Sequence, residues 1–375
     1  MKKRILALIM VTLSLNLTAC NNSNGKTSSV YEISLGSDYD NSNGKTSSVY
    51  EISLGSDYDN SNEKSLSFFA MDTYMNFKAY GENAKTAVNE ASALVEDLEN
   101  KLSVTNPESE ISKINSSANN AIKISEDTLA LISTALDVNK KSGGAFDITI
   151  YPIVKLWGFT TGKYEVPNKE EILKNLEYVD SSNITLNEKE GTVTVPQNIE
   201  IDLGGIAKGY AGKKAAEKIR SMGIESALLN LGGNIQTIGS KPDGSAWGVS
   251  ICNPEDSSKQ LCRIEVVDKA VVTSGGYQRY FEENGKSYHH IIDPKSGYPA
   301  ENGLLSVTIV DEDGMLCDAL STTLFVLGKD KALEYCEKYG IEAILMTDDK
   351  KIYVTDGLKE SFSIIDQTSG YFLAE

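Results

Sequence analysis

The chain has 375 residues, 40% of them hydrophobic and 24% charged, enough to bury one large core or two smaller ones and too apolar to be disordered throughout. Its 36 Lys and Arg against 53 Asp and Glu give a formal net charge of -17, which argues against nucleic acid as a partner. Only two histidines occur, His289 and His290, so His-rich zinc sites and the HExxH metalloprotease pattern are excluded, while oxygen-ligated metal chemistry stays open.

At the N-terminus, Lys2-Lys3-Arg4 precede an apolar run over residues 5–17. A bilayer span needs about 20 residues, so this run reads as the apolar region of a signal peptide. It ends in Leu17-Thr18-Ala19-Cys20, which resembles the bacterial lipoprotein box. The expectation is a signal peptide over 1–19, lipidation at Cys20, and a mature protein outside the cytoplasmic membrane, held to it by acyl chains. Residues 22–40 recur unchanged as 41–59, a tandem repeat rich in Ser, Asn and Gly. Two copies are too few to stack into a solenoid, so residues 20–65 read as a flexible tether. Residues 66–375 then form one globular unit. Its four cysteines, Cys252, Cys262, Cys317 and Cys336, allow a Cys252–Cys262 disulfide or four buried free thiols.

Within that unit, Ala84, Val88, Ala91, Val95, Leu98 and Leu102 recur at helical spacing, and Leu129, Ile132 and Leu136 predict a second helix. Ala211, Ala215, Ile219 and Met222 predict a third, closed by Gly223. Apolar runs at 227–229, 247–251 and 307–310 read as strands, and 317–328 as a further helix. The elements do not alternate as βαβ units, and no G-x-G-x-x-G follows a strand, so a doubly wound nucleotide fold is disfavoured. The fold class is α+β, a single domain with mixed sheets and flanking helices.

Five stretches carry residues suited to chemistry. Gly143-Gly144-Ala145-Phe146-Asp147, leading to Trp157-Gly158-Phe159, would frame a flat ring or fill a core; Thr273-Ser274-Gly275-Gly276-Tyr277-Gln278-Arg279 is similarly ambiguous. In Asp202-Leu203-Gly204-Gly205-Ile206-Ala207-Lys208, a glycine turn opens a helix whose free N–H groups and Lys208 suit a phosphate, although a tight structural turn explains the glycines equally well. His289-His290-Ile291-Ile292-Asp293-Pro294 offers a proton acceptor beside a turn. Asp318 and Thr322 stand at i and i+4 on one helix face, two hard oxygens suited to Mg²⁺; the structural alternative is that Asp318 caps its helix and Thr322 bonds back to a carbonyl.

Taken in order, Met71-Asp72-Thr73, Ser109-Glu110-Ile111-Ser112, Gly144-Ala145-Phe146-Asp147, the Asp202–Gly209 run, Asn230-Leu231-Gly232-Gly233-Asn234, Thr273-Ser274-Gly275, His289-His290-Ile291-Ile292-Asp293-Pro294 and Asp318-Ala319-Leu320-Ser321-Thr322 resemble the ApbE family of FAD:protein FMN transferases, often bacterial lipoproteins. The resemblance covers about residues 66–360. It implies an enzyme that cleaves FAD, releases AMP and attaches FMN through its phosphoryl group to a Thr or Ser hydroxyl of an acceptor protein, such as an FMN-bearing subunit of a membrane redox complex. It implies Mg²⁺ on Gly205, Asp318, Ser321 and Thr322, and FAD contacts at Met71, Thr105, Ala145, Phe146, Asp147, Asp202, Lys208 and Ile292. His290, Lys208 and Asp318 would be the catalytic residues. Asp72 departs from the family's Met-Gly-Thr. Two other readings keep the FAD but not the transfer: a Mg²⁺-dependent FAD diphosphatase, and a flavin-binding lipoprotein without catalysis.

Overall fold

The computed structural model describes residues 62–374, with backbone pairing alone for three two-residue strands at 20–21, 27–28 and 44–45. The expected signal peptide over 1–19, the side chain of the expected lipidation site Cys20 and, apart from those backbone pairs, the repeat lie outside the described residues. One nine-stranded sheet organises the rest, and its strands lie side by side in chain order. They are β1 (Glu63–Ala70), β2 (Thr73–Tyr80), β3 (Ser226–Leu231), β4 (Asn234–Ile238), β5 (Ala270–Gly275), β6 (Leu304–Asp311), β7 (Ala343–Thr347), β8 (Lys351–Val354) and β9 (Phe372–Leu373). Neighbours are antiparallel except the last pair, β8 and β9, which are parallel.

Helices fill the long connections. Between β2 and β3 come α1 (Ala84–Leu102), α2 (Glu110–Ser116), α3 (Glu126–Ser142), α4 (Tyr151–Leu156), α5 (Lys169–Leu176) and α6 (Ala207–Ser221); between β6 and β7 come α7 (Gly314–Leu327) and α8 (Lys329–Tyr339). The mixture is α+β, as expected. Helix α1 spans the residues that its apolar spacing predicts, whereas α7 starts three residues before Cys317. The reason is Asp313, whose side chain accepts hydrogen bonds from Met315 N and Leu316 N and so caps the helix earlier. Asp318 is therefore not the cap of its own helix.

Both faces of the sheet are covered, which explains why its strands read as unbroken apolar runs. Ala343 and Leu345 of β7 point into the core beneath the helices. Ile344 and Met346, one residue out of phase, join a second core with Trp247, Val249, Ile251 and Ile264. That second core lies under a hairpin of Trp247–Asn253 and Asp256–Val266, with Phe362–Ile364 as its third strand. A third cluster gathers Ile153, Trp157, Phe159, Ile172, Phe281 and Ile292 around α4 and α5. The Trp157 indole donates to Gly297 O at 2.8 Å, so these aromatics fill a core. Cys262, Cys317 and Cys336 are buried free thiols, so the Cys252–Cys262 disulfide is not realised. Among the described residues no helix is long and apolar enough to cross a membrane.

Strand direction brings the loops that matter to one end of the sheet. The β1–β2 turn consists of Met71 and Asp72, both with positive φ (50° and 58°), a turn whose twist suits a hairpin. Asp72 thus takes the left-handed backbone that the family's glycine would take, which a short polar side chain tolerates. Beside it lies the β3–β4 turn, where a Cβ on Gly232 would stand 2.1 Å from Thr73 Oγ1. The end of β5, Thr273 to Gly275, lies at this same edge, because antiparallel pairing sets Ile235 opposite Val271.

Candidate active site

Helices α6 and α7 cross closely because both carry glycine at the crossing. A Cβ on Gly209 would stand 2.0 Å from Gly314 O and 2.6 Å from Asp318 Cβ, so no other residue fits. The approach brings the buried Asp318 onto the start of α6, where its Oδ2 accepts from Gly209 N at 2.8 Å. Helix α6 opens without a side-chain cap of its own; Asp318 supplies a carboxylate from the neighbouring helix instead. The structural alternative for Asp318 is therefore half right. It caps a helix, but the wrong one for that reading, and it does so at the glycine turn.

Three hydroxyls lie along the same stretch of α7 and the end of β5. Ser321 Oγ donates to the main-chain carbonyl of Asp318 at 2.9 Å, and Ser274 Oγ from β5 lies 2.8 Å from Ser321 Oγ and 3.3 Å from Thr322 Oγ1. Thr323, not Thr322, bonds back to a helix carbonyl, Ala319 O at 2.7 Å. Thr322 is half-buried and turns toward Ser274. The donor set is one carboxylate and hydroxyls, all hard oxygens. That chemistry fits Mg²⁺ and not the nitrogen- and sulfur-seeking metals. Among the described residues no three His, Cys, Asp or Glu side chains cluster as a metal cage.

The glycine turn gathers the second group. Asp202 accepts from Gly204 N at 2.9 Å, and Phe146 packs on Gly205, where a Cβ would meet its ring at 3.0 Å. This contact brings the 145–147 loop to the start of α6. Burial pushes the Asp202 carboxyl up, against the pull of the Gly204 N–H, Lys208 and Arg279. His290 lies in the same group: burial above all, with His289, Arg279 and Lys208 adding to it, lowers its pKa to about 3. The imidazole is neutral at any physiological pH. Its Nδ1 faces Arg279 O at 3.1 Å, and a carbonyl only accepts, so the ring proton sits on Nδ1 and Nε2 keeps its lone pair.

Other expected residues are placed differently. The Asp147 carboxylate is spent inside the fold, accepting from Thr149 N (2.8 Å), Thr149 Oγ1, Ser181 N (3.1 Å), Ser181 Oγ and Asn139 Nδ2 (3.0 Å). Ala145 is buried beside it. Ile292 is buried in the aromatic cluster and bridges to Pro299. Met71 packs against the main core at the hairpin turn, and Thr105 is exposed between α1 and α2, its hydroxyl 3.1 Å from Ser103 Oγ. Two residues not assigned from the sequence join the site, Ser274 and Arg279. Both sit in the ambiguous 273–279 stretch, and only the pairing of β5 beside α7 and the 290 loop reveals them.

A carboxylate and hydroxyls on one helix, aimed at a glycine-opened helix start with a lysine and a neutral histidine beside it, are the parts of a group-transfer enzyme that handles a phosphate-bearing substrate. The ApbE family model matches residues 71–345, and the chain belongs to that family. It is similar to the FAD:protein FMN transferase of Haemophilus influenzae, 32% identical over 95% of this chain and 96% of that protein, and to that of Klebsiella pneumoniae, 34% identical over 74% and 87%. Among solved structures, the ApbE protein of Thermotoga maritima aligns with a TM-score of 0.76 at 33% identity, covering 80% of this chain and 99% of that one. The flavin transferase ApbE of Vibrio cholerae aligns with a TM-score of 0.73 at 30% identity over the same shares. The chain is an enzyme, a transferase of the flavin-transferring kind.

Proposed function

We propose that the protein transfers FMN from FAD to a Ser or Thr hydroxyl of an acceptor protein and releases AMP. The observation that carries this reading is Asp318 reaching from α7 to the N-terminus of α6, beside Lys208 and a histidine fixed in its proton-accepting tautomer. The acceptor oxygen forms a bond to the FMN phosphorus while the bond to the bridging oxygen breaks, and the leaving AMP carries the charge away. His290 Nε2 takes the hydroxyl proton. Lys208 holds the phosphate oxygens at the start of α6. Phosphoryl transfer depends mainly on positioning and charge stabilisation, so the chain needs no nucleophile of its own. Asp318, Thr322, Ser321 and the Gly205 carbonyl would hold Mg²⁺, which supplies positive charge to the diphosphate.

We propose further that residues 1–19 are a signal peptide, that Cys20 is lipidated, and that the stretch from Cys20 to the start of β1 at Glu63, three residues short of the boundary expected from the sequence, tethers the folded part outside the membrane, within reach of an acceptor such as a subunit of a membrane redox complex. In this reading Cys20→Ala abolishes incorporation of labelled fatty acid and releases the protein from the membrane fraction. The transfer itself is tested by incubating purified protein, FAD and MgCl2 with an acceptor domain and weighing the acceptor. A covalent gain of one FMN, lost with Asp318→Ala, supports the reading. AMP and free FMN formed equally fast without acceptor point instead to a diphosphatase, and FAD left intact points to a binding protein.

A further inference from the structure

In a protein of net charge -17, cations normally find carboxylates. Of the three arginines among the described residues, Arg220 pairs with Asp268 and Arg263 with Glu265. Arg279 pairs with none, although it is half-buried. Lys208 is likewise outside every ion pair among the described residues. These two cations converge on the same small region, since both act on Asp202 and both act on His290. Two cations outside any ion pair, gathered around the single carboxylate of Asp202 and beside a neutral imidazole, keep donor capacity for a further anion.

The loop that carries Arg279 is built for rigidity. Gly275 and Gly276 are each covered by a ring: a Cβ would stand 2.4 Å from Tyr277 Cε1 at the first and 2.8 Å from His289 Cδ2 at the second. Gln278 N donates to Gly275 O at 3.2 Å and Gln278 Nε2 to Thr273 O at 3.0 Å, closing the turn. One guanidinium nitrogen, Nη2, donates to Phe159 O. A guanidinium has five N–H donors in a fork, so this bond orients the group and leaves a face free.

We propose that Arg279 is a second phosphate-gripping residue of this site, whose free guanidinium face takes non-bridging oxygens of the nucleotide diphosphate opposite Lys208, while its main-chain carbonyl fixes His290. The inference deepens the transferase reading and rests on it for the identity of the ligand. Charge accounting supports it. Asp202 and Asp318 are offset by Lys208 and Arg279, so the site is near neutral before any ligand arrives, and a divalent metal then matches the two charges of a diphosphate. With Lys208 alone the site would carry an uncompensated negative charge toward an anionic substrate.

The experiment measures ADP binding by titration calorimetry in MgCl2 at several salt concentrations, with the full-length wild type, Arg279→Gln and Arg279→Lys. The expected result is an affinity about tenfold weaker in Arg279→Gln, a salt dependence shallower by about one charge, and recovery of the slope in Arg279→Lys. Transfer assays should show the loss mainly in KM for FAD. An arginine that only braces the Phe159 loop would lower affinity equally at all salt concentrations, with the slope unchanged, and that result overturns the proposal. So does ADP affinity within about twofold of wild type, or a wild type that does not bind ADP. If Arg279 governs ADP binding but no acceptor is ever flavinylated, the phosphate grip stands and the transferase reading fails.

Discussion

His290 owes its role to one neighbour that has no choice of role. Because Arg279 O accepts from both His290 N and Nδ1, the ring is locked with Nε2 free. Replacing His290 with Gln keeps a polar group of similar reach but removes the base. Transfer should fall by about 10² to 10⁴ in kcat, the usual worth of a positioned base, with KM for FAD little changed. The folded-state pKa near 3 also sets the pH dependence of stability. Between about pH 6.5 and 3 the unfolded chain binds a proton at this position and the folded chain does not, so stability falls as pH falls through that window. Urea midpoints of the wild type should drop on acidification, and those of His290→Gln should drop less. Asp318 separates two functions in the same way. Asp318→Asn keeps an oxygen for Gly209 N and so should unfold near the wild-type midpoint, yet lose Mg²⁺ affinity and transfer. Asp318→Ala leaves a buried N–H without a partner and should also lose about 1–3 kcal/mol.

Elements were legible where one physical signal decided them. The spacing of Ala84 to Leu102 marks α1 because one face is buried and the other is not. Strands such as β3 and β6 read as apolar runs because the sheet has two covered faces. The start of α7 was misplaced because its cap lies in Asp313, ahead of the apolar pattern. The parts of the site that come from one stretch, Asp202 to Lys208 and Asp318 to Thr322, were legible from residue type and spacing. Ser274 and Arg279 were not, since their partners stand 47 and 11 or more positions away and only tertiary packing joins them. The α6–α7 crossing gives a prediction at this scale. Alanine is the better helix former by about 1 kcal/mol, so propensity alone says that Gly209→Ala stabilises α6. Contact with Gly314 O at 2.0 Å says the opposite, and the steric term is larger. The variant should unfold at lower urea by about 1–3 kcal/mol and bind Mg²⁺ poorly, because the crossing that aims Asp318 must open.

At the scale of the whole molecule, two fields of opposite sign act on an approaching dinucleotide. The net charge of -17 repels FAD from a distance, while Lys208, Arg279 and the helix start attract it once it has entered. Their ranges differ, and salt separates them. At about 0.01 M salt the screening length is about 30 Å, long enough for carboxylates across the surface to be felt; at about 0.1 M it is about 10 Å, and only the groups within the site still act. With Mg²⁺ held saturating, kcat/KM for FAD should therefore rise as salt increases from about 0.01 to 0.1 M, because remote repulsion is screened first. Above that it should fall, as the phosphate contacts themselves weaken. Stopped-flow binding of FAD across this range gives the curve directly. A steady decline from the lowest salt onward would mean that the local cations outweigh the surface charge at every distance, and that the acidic exterior plays no part in how the substrate arrives.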